Sequence, residues 1–113
     1  MFKLAQSNSY KWPVAVELPA DGGRMEKHTF DAEFKRLPQS RIKALTEQVK
    51  SGDLTDADFV KEVLVGWKGV LDESGQEVPF SEGTRDALID VQLVSGALVG
   101  AFFESLTGGR RKN

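Results

Sequence analysis

Few side chains in this sequence are suited to chemistry, and the single histidine is the first to consider. His28 lies in the strand-like run MEKHTFDAEF, with no Cys, second His or matched carboxylate beside it. A metal site needs several ligands, and a catalytic base needs partners that orient it and its substrate. We therefore expect His28 to be a partly buried strand residue.

Two acidic groups come next. Asp53, Asp56 and Asp58 resemble part of a calcium loop, but the required glycine and final glutamate are misplaced, so helix capping explains them better. The turn at residues 72–77 carries three carboxylates, DESGQE, without apolar surroundings that would raise a carboxyl pKa. Neither group predicts a metal site or acid–base catalysis.

Glycine loops and nucleophiles give no catalytic signature either. Gly22-Gly23 is not followed by a helix beginning with Lys-Ser or Lys-Thr, and Gly66 and Gly69 are too closely spaced for a phosphate-binding fingerprint. The sequence contains no cysteine, which excludes thiolate chemistry and disulfides. We expect a protein that is not an enzyme and needs no cofactor or metal.

The composition predicts one domain without attraction for polyanions. The chain has 113 residues, with 15 Lys and Arg against 17 Asp and Glu, for a formal net charge of −2. Such a charge gives no long-range attraction for nucleic acid. The N-terminal region has no apolar run long enough for a signal peptide or membrane span, so we expect an intracellular protein without membrane or nucleic-acid partners.

Two alternating runs separated by the turn sequence PADGG predict an N-terminal β-hairpin. Pro13 cannot donate a ladder hydrogen bond, which indicates an edge strand. The apolar positions are Trp12, Val14, Val16 and Leu18 in the first run, and His28, Phe30, Ala32 and Phe34 in the second.

Helical spacing and capping residues predict about four helices after the hairpin. The expected boundaries are Gly52 at the end of the first, Thr55 and Gly66 around the second, Ser81 at the start of the third, and Asp90 and Gly108-Gly109 around the last. The predicted class is α+β, with an N-terminal β-hairpin followed by a mostly helical domain. We expect a flexible arm at 1–10, one domain at 11–109 and a basic tail at 110–113.

The segment from Val60 to Ser81 joins two of these helices. Trp67 lies between Gly66 and Gly69, where a large apolar side chain would pack one element against another. Whether residues 70–71 pair with Val78 across the polar turn is left open by the sequence.

The last predicted helix is unusually apolar, with no charge between Val91 and Phe103. It is interpreted either as a central helix buried within its own domain or as a helix that also presents Phe102 and Phe103 to a partner. Gly96 and Gly100, four residues apart, would allow close approach of another backbone, so self-association is a further expectation.

Three blocks of the sequence form a recognisable pattern: HTFDAEFKRLPQSRI at 28–42, EVLVGWKGVLDESGQEVPFS at 62–81, and ALVGAFFESLTGGRRKN at 97–113. They resemble the tail assembly chaperones of long-tailed, lambda-like bacteriophages. The resemblance implies a small, mostly helical protein of the host cytoplasm, absent from the mature virion. It also implies binding to the tape measure protein while subunits of the tail tube protein polymerise around it.

The resemblance further implies a longer form of the same chain, made by a minus-one ribosomal frameshift near the stop codon. Lys112-Asn113 can be encoded by AAA AAC, which completes a slippery heptanucleotide if the Arg111 codon ends in A. The chain is then the short form, and the longer form is an additional expected partner.

An apolar partner surface is the site that this reading predicts. Its expected residues are Trp67, Val70, Phe80, Leu98, Phe102 and Phe103. One alternative is a structural tail completion or tube-end protein that stays in the virion. Another is a small nucleic-acid binder that uses Arg110, Arg111 and Lys112, although three terminal charges give only a small salt-dependent contribution.

Overall fold

The computed structural model describes residues 2–108, which form a three-stranded antiparallel sheet and four α-helices. The elements in chain order are β1 (Ser9–Ala20), β2 (Arg24–Lys35), α1 (Gln39–Ser51), α2 (Asp56–Val63), β3 (Leu64–Lys68), α3 (Glu82–Ile89) and α4 (Val94–Leu106). The predicted α+β class, with a hairpin before the helices, is confirmed. The predicted tail at 110–113 lies outside the described residues.

The hairpin is long and regular. β1 and β2 pair from Ser9 opposite Lys35 to Ala20 opposite Arg24, and a short 3-10 turn at Asp21–Gly23 connects them. The strand order β1-β2-β3 leaves β1 at an edge, as Pro13 predicts. β1 begins at Ser9, so Ser9 and Tyr10 of the predicted arm belong to the strand.

One face of the hairpin contributes four residues to the core. Val14 and Val16 from β1 and Ala32 and Phe34 from β2 are buried, as the period-two alternation predicts. The opposite face is mostly polar or carries small side chains, and its cross-strand neighbours include Lys11 beside Glu33. This pattern orients the sheet with its apolar face toward the helices.

The third strand was missed by the sequence analysis. Gly66 was expected to end α2, and this prediction is wrong, because α2 ends at Val63 and Leu64 has extended backbone angles. Gly66 lies within β3 opposite Glu33, and Trp67 lies opposite Ala32. The run LVGWK contains β-branched and aromatic residues, and pairing with β2 satisfies its backbone groups.

Three phenylalanines from three elements form the centre of the core. The ring of Phe102 in α4 meets Phe34 of β2 at 5.4 Å and Phe59 of α2 at 5.5 Å, both with edge-to-face geometry. All three side chains are buried. These contacts attach α4 to both the sheet and α2.

Several predicted caps are confirmed. Gly52 follows α1 with a left-handed backbone, and the Thr55 hydroxyl accepts the N–H of Asp58 at the start of α2. Ser81 and Thr84 form a reciprocal capping box at the start of α3. These local signals therefore define three of the helix ends in the fold.

The predicted cap of the last helix is wrong. Asp90 is the C-terminal cap of α3, and α4 begins only after Leu93, which has a left-handed backbone with φ of 73°. The axes of α3 and α4 differ by 103° across this break. Burial of both Ile89 and Val94 accounts for the break, because a straight continuation would move one of them away from the core.

Candidate docking surface

No cluster of potential metal ligands exists among residues 2–108, where no three His, Asp or Glu side chains come together. His28 was expected to be partly buried, and this is wrong, since 56% of its side chain is exposed and its Nε2 lies 3.6 Å from Glu26 Oε1. In the half of β2 nearest the turn, side chains on both faces are exposed. The alternation of apolar residues in this half therefore does not correspond to burial.

The two acidic groups have structural contacts. Asp58 belongs to the first turn of α2 and donates its N–H to the Thr55 cap. In the turn at 72–77, one oxygen of Asp72 accepts the hydroxyl and N–H of Ser74 and the N–H of Gln76. The Ser74 hydroxyl, followed by the Gln76 N–H, holds the pKa of Asp72 below its ordinary value.

Two predicted partner-binding residues belong to the core. Leu98 and Phe102 are almost completely buried, so neither is accessible to a partner in the folded monomer. Phe103 is half-buried, with its ring 5.4 Å from Phe59 and 5.6 Å from Phe102. The apolar excess of α4 is therefore used largely inside the domain.

The other predicted residues, Trp67 in β3, and Val70 and Phe80 after it in the chain, are half-buried. The Trp67 and Phe80 rings meet edge to face at 4.9 Å. Trp67 Nε1 donates a 2.7 Å hydrogen bond to the carbonyl oxygen of Val78. Since Val78 N–H also bonds to the Val70 carbonyl, the pairing across the turn does form, with one further bridge between Leu71 and Glu77.

A largely apolar groove of about 450 Å³, whose lining also includes Lys27, His28 and Thr29, lies next to this cluster. It is bounded by the inner face of the hairpin, the segment after β3 and the α3–α4 junction. We call it the hairpin groove and define it by Leu18, Phe30, Val70, Leu71, Leu88 and Val91.

Leu71 and Val91 make the hairpin groove a candidate docking surface. Leu71 is 55% exposed and Val91 is 42% exposed, although both are large aliphatic side chains. Neighbouring Leu93 is 51% exposed. Exposed apolar side chains gathered around a concavity are typical of protein interaction sites.

Of the groove residues, only Val70 is among those that the sequence predicts for partner binding. Leu71 was expected in a short pairing segment and Val91 at the start of the apolar last helix. The apolar pair Val70-Leu71 directly before a polar turn was the available signal for Leu71. The exposure of Val91 was not predictable, because helical spacing through Asp90 placed Val91 in the last helix.

The glycine face of α4 is open in the monomer. An added Cβ at Gly100 would meet no atom within 4 Å, and one at Gly96 would meet only Asp56, at 3.9 Å. Neither glycine is therefore required by packing within the described residues. The predicted self-association through this face stays a prediction.

No single helix within residues 2–108 is long and apolar enough to cross a membrane. α3 and α4 meet that criterion only when they are taken together across their bend.

Comparison with protein-family models, with curated proteins and with solved structures finds no match to this chain.

Proposed function

We propose that this chain is a tail assembly chaperone of a long-tailed bacteriophage or prophage. In this role it binds the tape measure protein in the host cytoplasm, promotes polymerisation of the tail tube and is absent from the mature virion. The hairpin groove carries the proposal, because Leu71 and Val91 are exposed beside an apolar concavity. The sequence resemblance at 28–42, 62–81 and 97–113 supports the same role.

The physical requirement of this role is reversible cover for apolar helix faces. A tape measure protein is long and helical, and its apolar faces favour aggregation until the tube encloses them. A groove of this size would receive one or two apolar side chains of such a helix. The contact would be weak at each site, so that arriving tube subunits displace many chaperone copies.

The partner surface proposed here differs from the one that the sequence predicts. Val70 stays in it, Leu71 and Val91 join it, and Trp67 and Phe80 support its wall. Leu98 and Phe102 are removed because they are buried.

Co-expression with the tape measure protein tests the proposal. We expect the wild-type chain to keep the tape measure protein soluble and to co-purify with it, and Leu71→Asp and Val91→Asp to lose both effects. Val65→Asp is the matched control, because Val65 is an aliphatic residue of β3 that is 41% exposed and does not line the groove. Circular dichroism of each variant verifies the fold.

Equal loss in the Val65→Asp control, or full binding by both groove variants, would reject the hairpin groove as the site. Mass spectrometry of purified virions separates the chaperone from a tail completion or tube-end protein. Retention of the chain in the particle would favour the structural component.

The short-form hypothesis is tested separately in the gene and in lysates. We expect an A AAA AAC heptanucleotide at codons 111–113 and a second, longer product that reacts with antibody to residues 2–108. Codons that cannot slip, or a single product, would contradict a frameshifted form.

A further inference from the structure

A second groove, of about 510 Å³, lies at the opposite end of β1 from the hairpin groove. It is formed where β1 begins, β2 ends and α4 ends. Its apolar floor comes from Trp12, Leu37 and Ile42, which are half-buried, and from Leu106, which is 45% exposed. We call it the basic groove because of the residues that line its rim.

The rim carries three cations, Lys11, Lys35 and Arg36, and no carboxylate lines this groove in the described part of the chain. Lys11 Nζ reaches Glu33 only at 4.0 Å. Lys35 and Arg36 form no ion pair with any residue from 2 to 108. The positive charges of Lys35 and Arg36 are therefore uncompensated within residues 2–108, in a chain whose formal net charge is −2.

Arg36 is held beside the apolar floor. The Arg36 guanidinium lies 4.9 Å from the centre of the Tyr10 ring, and its Nε donates to Ser7 Oγ at 3.3 Å. The Tyr10 hydroxyl is in turn 2.7 Å from Ser105 Oγ in α4. This arrangement positions a charged, planar group at the groove wall without a carboxylate partner.

From this arrangement we infer that the basic groove binds an acidic amphipathic helix of another protein. The apolar side chains of that helix would lie on Trp12, Leu37 and Leu106, and its carboxylates would face Lys35 and Arg36. Complementary charge sets the orientation and speeds the encounter, while the floor supplies the apolar burial.

Nucleic acid fits this groove less well. It would use the cations but leave the aliphatic side chains of Leu37, Ile42 and Leu106 without a partner. The inference does not depend on the proposed function, because it uses only the charge and shape of this groove.

The direct test is fluorescence anisotropy with three labelled peptides of about 18 residues, long enough to form a helix. The first has Leu at helical spacing and Glu elsewhere, the second has the same composition in shuffled order, and the third has Lys in place of Glu. We expect the full-length protein to bind the first roughly tenfold more tightly than either control peptide.

Charge reversal at the rim tests the location. We expect Lys35→Glu combined with Arg36→Glu to weaken binding of the acidic amphipathic peptide by roughly tenfold or more. The matched control combines Lys50→Glu with Lys61→Glu, two exposed lysines that do not line the groove, and should change binding less than twofold. Circular dichroism verifies that both double variants fold.

The salt dependence of peptide binding provides a test that does not rely on the variants. Affinity of the wild-type protein for the acidic peptide should fall as sodium chloride is raised, because the rim charges become screened. Equal binding of all three peptides, tighter binding of an oligo-dT probe, or no effect of the rim variant would overturn the inference. None of these outcomes bears on the tape measure experiment, which uses the hairpin groove.

Discussion

Trp67 of β3 donates a 2.7 Å hydrogen bond from its indole Nε1 to the main-chain carbonyl oxygen of Val78. These residues flank the polar turn at 72–77, so the bond holds the chain as it returns from the sheet toward α3. The same indole packs against Phe80. Trp67 thus closes the loop that forms one wall of the hairpin groove.

Trp67→Phe tests this bond separately from the packing. The variant retains an aromatic ring but leaves the Val78 carbonyl without its donor, so we expect a loss of about 1 kcal/mol in the free energy of unfolding. Trp67→Ala removes the ring as well and should cost about 3 kcal/mol. Urea unfolding followed by circular dichroism measures both, and equal losses would show that the hydrogen bond accounts for the whole effect.

Phe103→Asp should destabilise the fold. The sequence alone placed Phe103 on an exposed partner surface, but its ring packs against Phe59 and Phe102. We expect a loss of about 2 kcal/mol or more, because a carboxylate would replace a half-buried ring. Thermal unfolding measures it, with Leu106→Asp as an exposed control on the same helix; an unchanged melting temperature would place Phe103 outside the core.

Leu93→Gly should stabilise the protein. Leu93 has φ of 73° and is half exposed, so the backbone is strained while the side chain contributes little burial. Glycine adopts this conformation freely, and we expect a gain of about 1 kcal/mol in the free energy of unfolding. Leu93→Val is the control and should destabilise, since a β-branched residue suits this conformation still less. The urea midpoints of the two variants measure these changes. A destabilised glycine variant would contradict the expected backbone strain at Leu93.

Gly66→Ala should destabilise β3 through a contact with Glu33. A Cβ at position 66 would lie 2.6 Å from Glu33 Oε1, and the Glu33 side chain is also held by Ser9 and Lys11. We expect a cost of about 1 kcal/mol. The double variant with Glu33→Ala should recover most of it, as a double-mutant cycle would show. Independent, additive effects would mean that the two residues do not interact.

Asp72 should make the stability of the turn at 72–77 depend on pH in the acid range. Its pKa in the folded protein is held below the ordinary value of 3.8 by the Ser74 hydroxyl. Its carboxylate therefore stabilises the fold above that ordinary value, and this contribution is lost as the pH falls through the folded pKa. Carboxyl-carbon NMR should show the lowered pKa, and Ser74→Ala should raise it; no change would remove the hydroxyl as the main cause.

Much of this fold was predictable because its signals are local. The alternation in β1 and β2 reports which side chains face inward, and Pro13 correctly indicated an edge strand. Gly52, Thr55 and Ser81 marked helix ends, since each cap forms with neighbouring backbone groups. Apolar composition also indicated that the last helix lies close to the core.

The remaining features depend on contacts between distant residues. β3 forms because its backbone groups pair with those of β2. The break before α4 allows Ile89 and Val94 both to be buried. The hairpin groove and the basic groove likewise form where separate elements meet. The sequence alone thus determined the inward alternation around Val14 and Val16 and the helix ends at Gly52, Thr55 and Ser81. Which apolar residues of α4 are covered and which, such as Val91, stay exposed was decided by tertiary packing, because burial depends on what the rest of the chain places against each side chain.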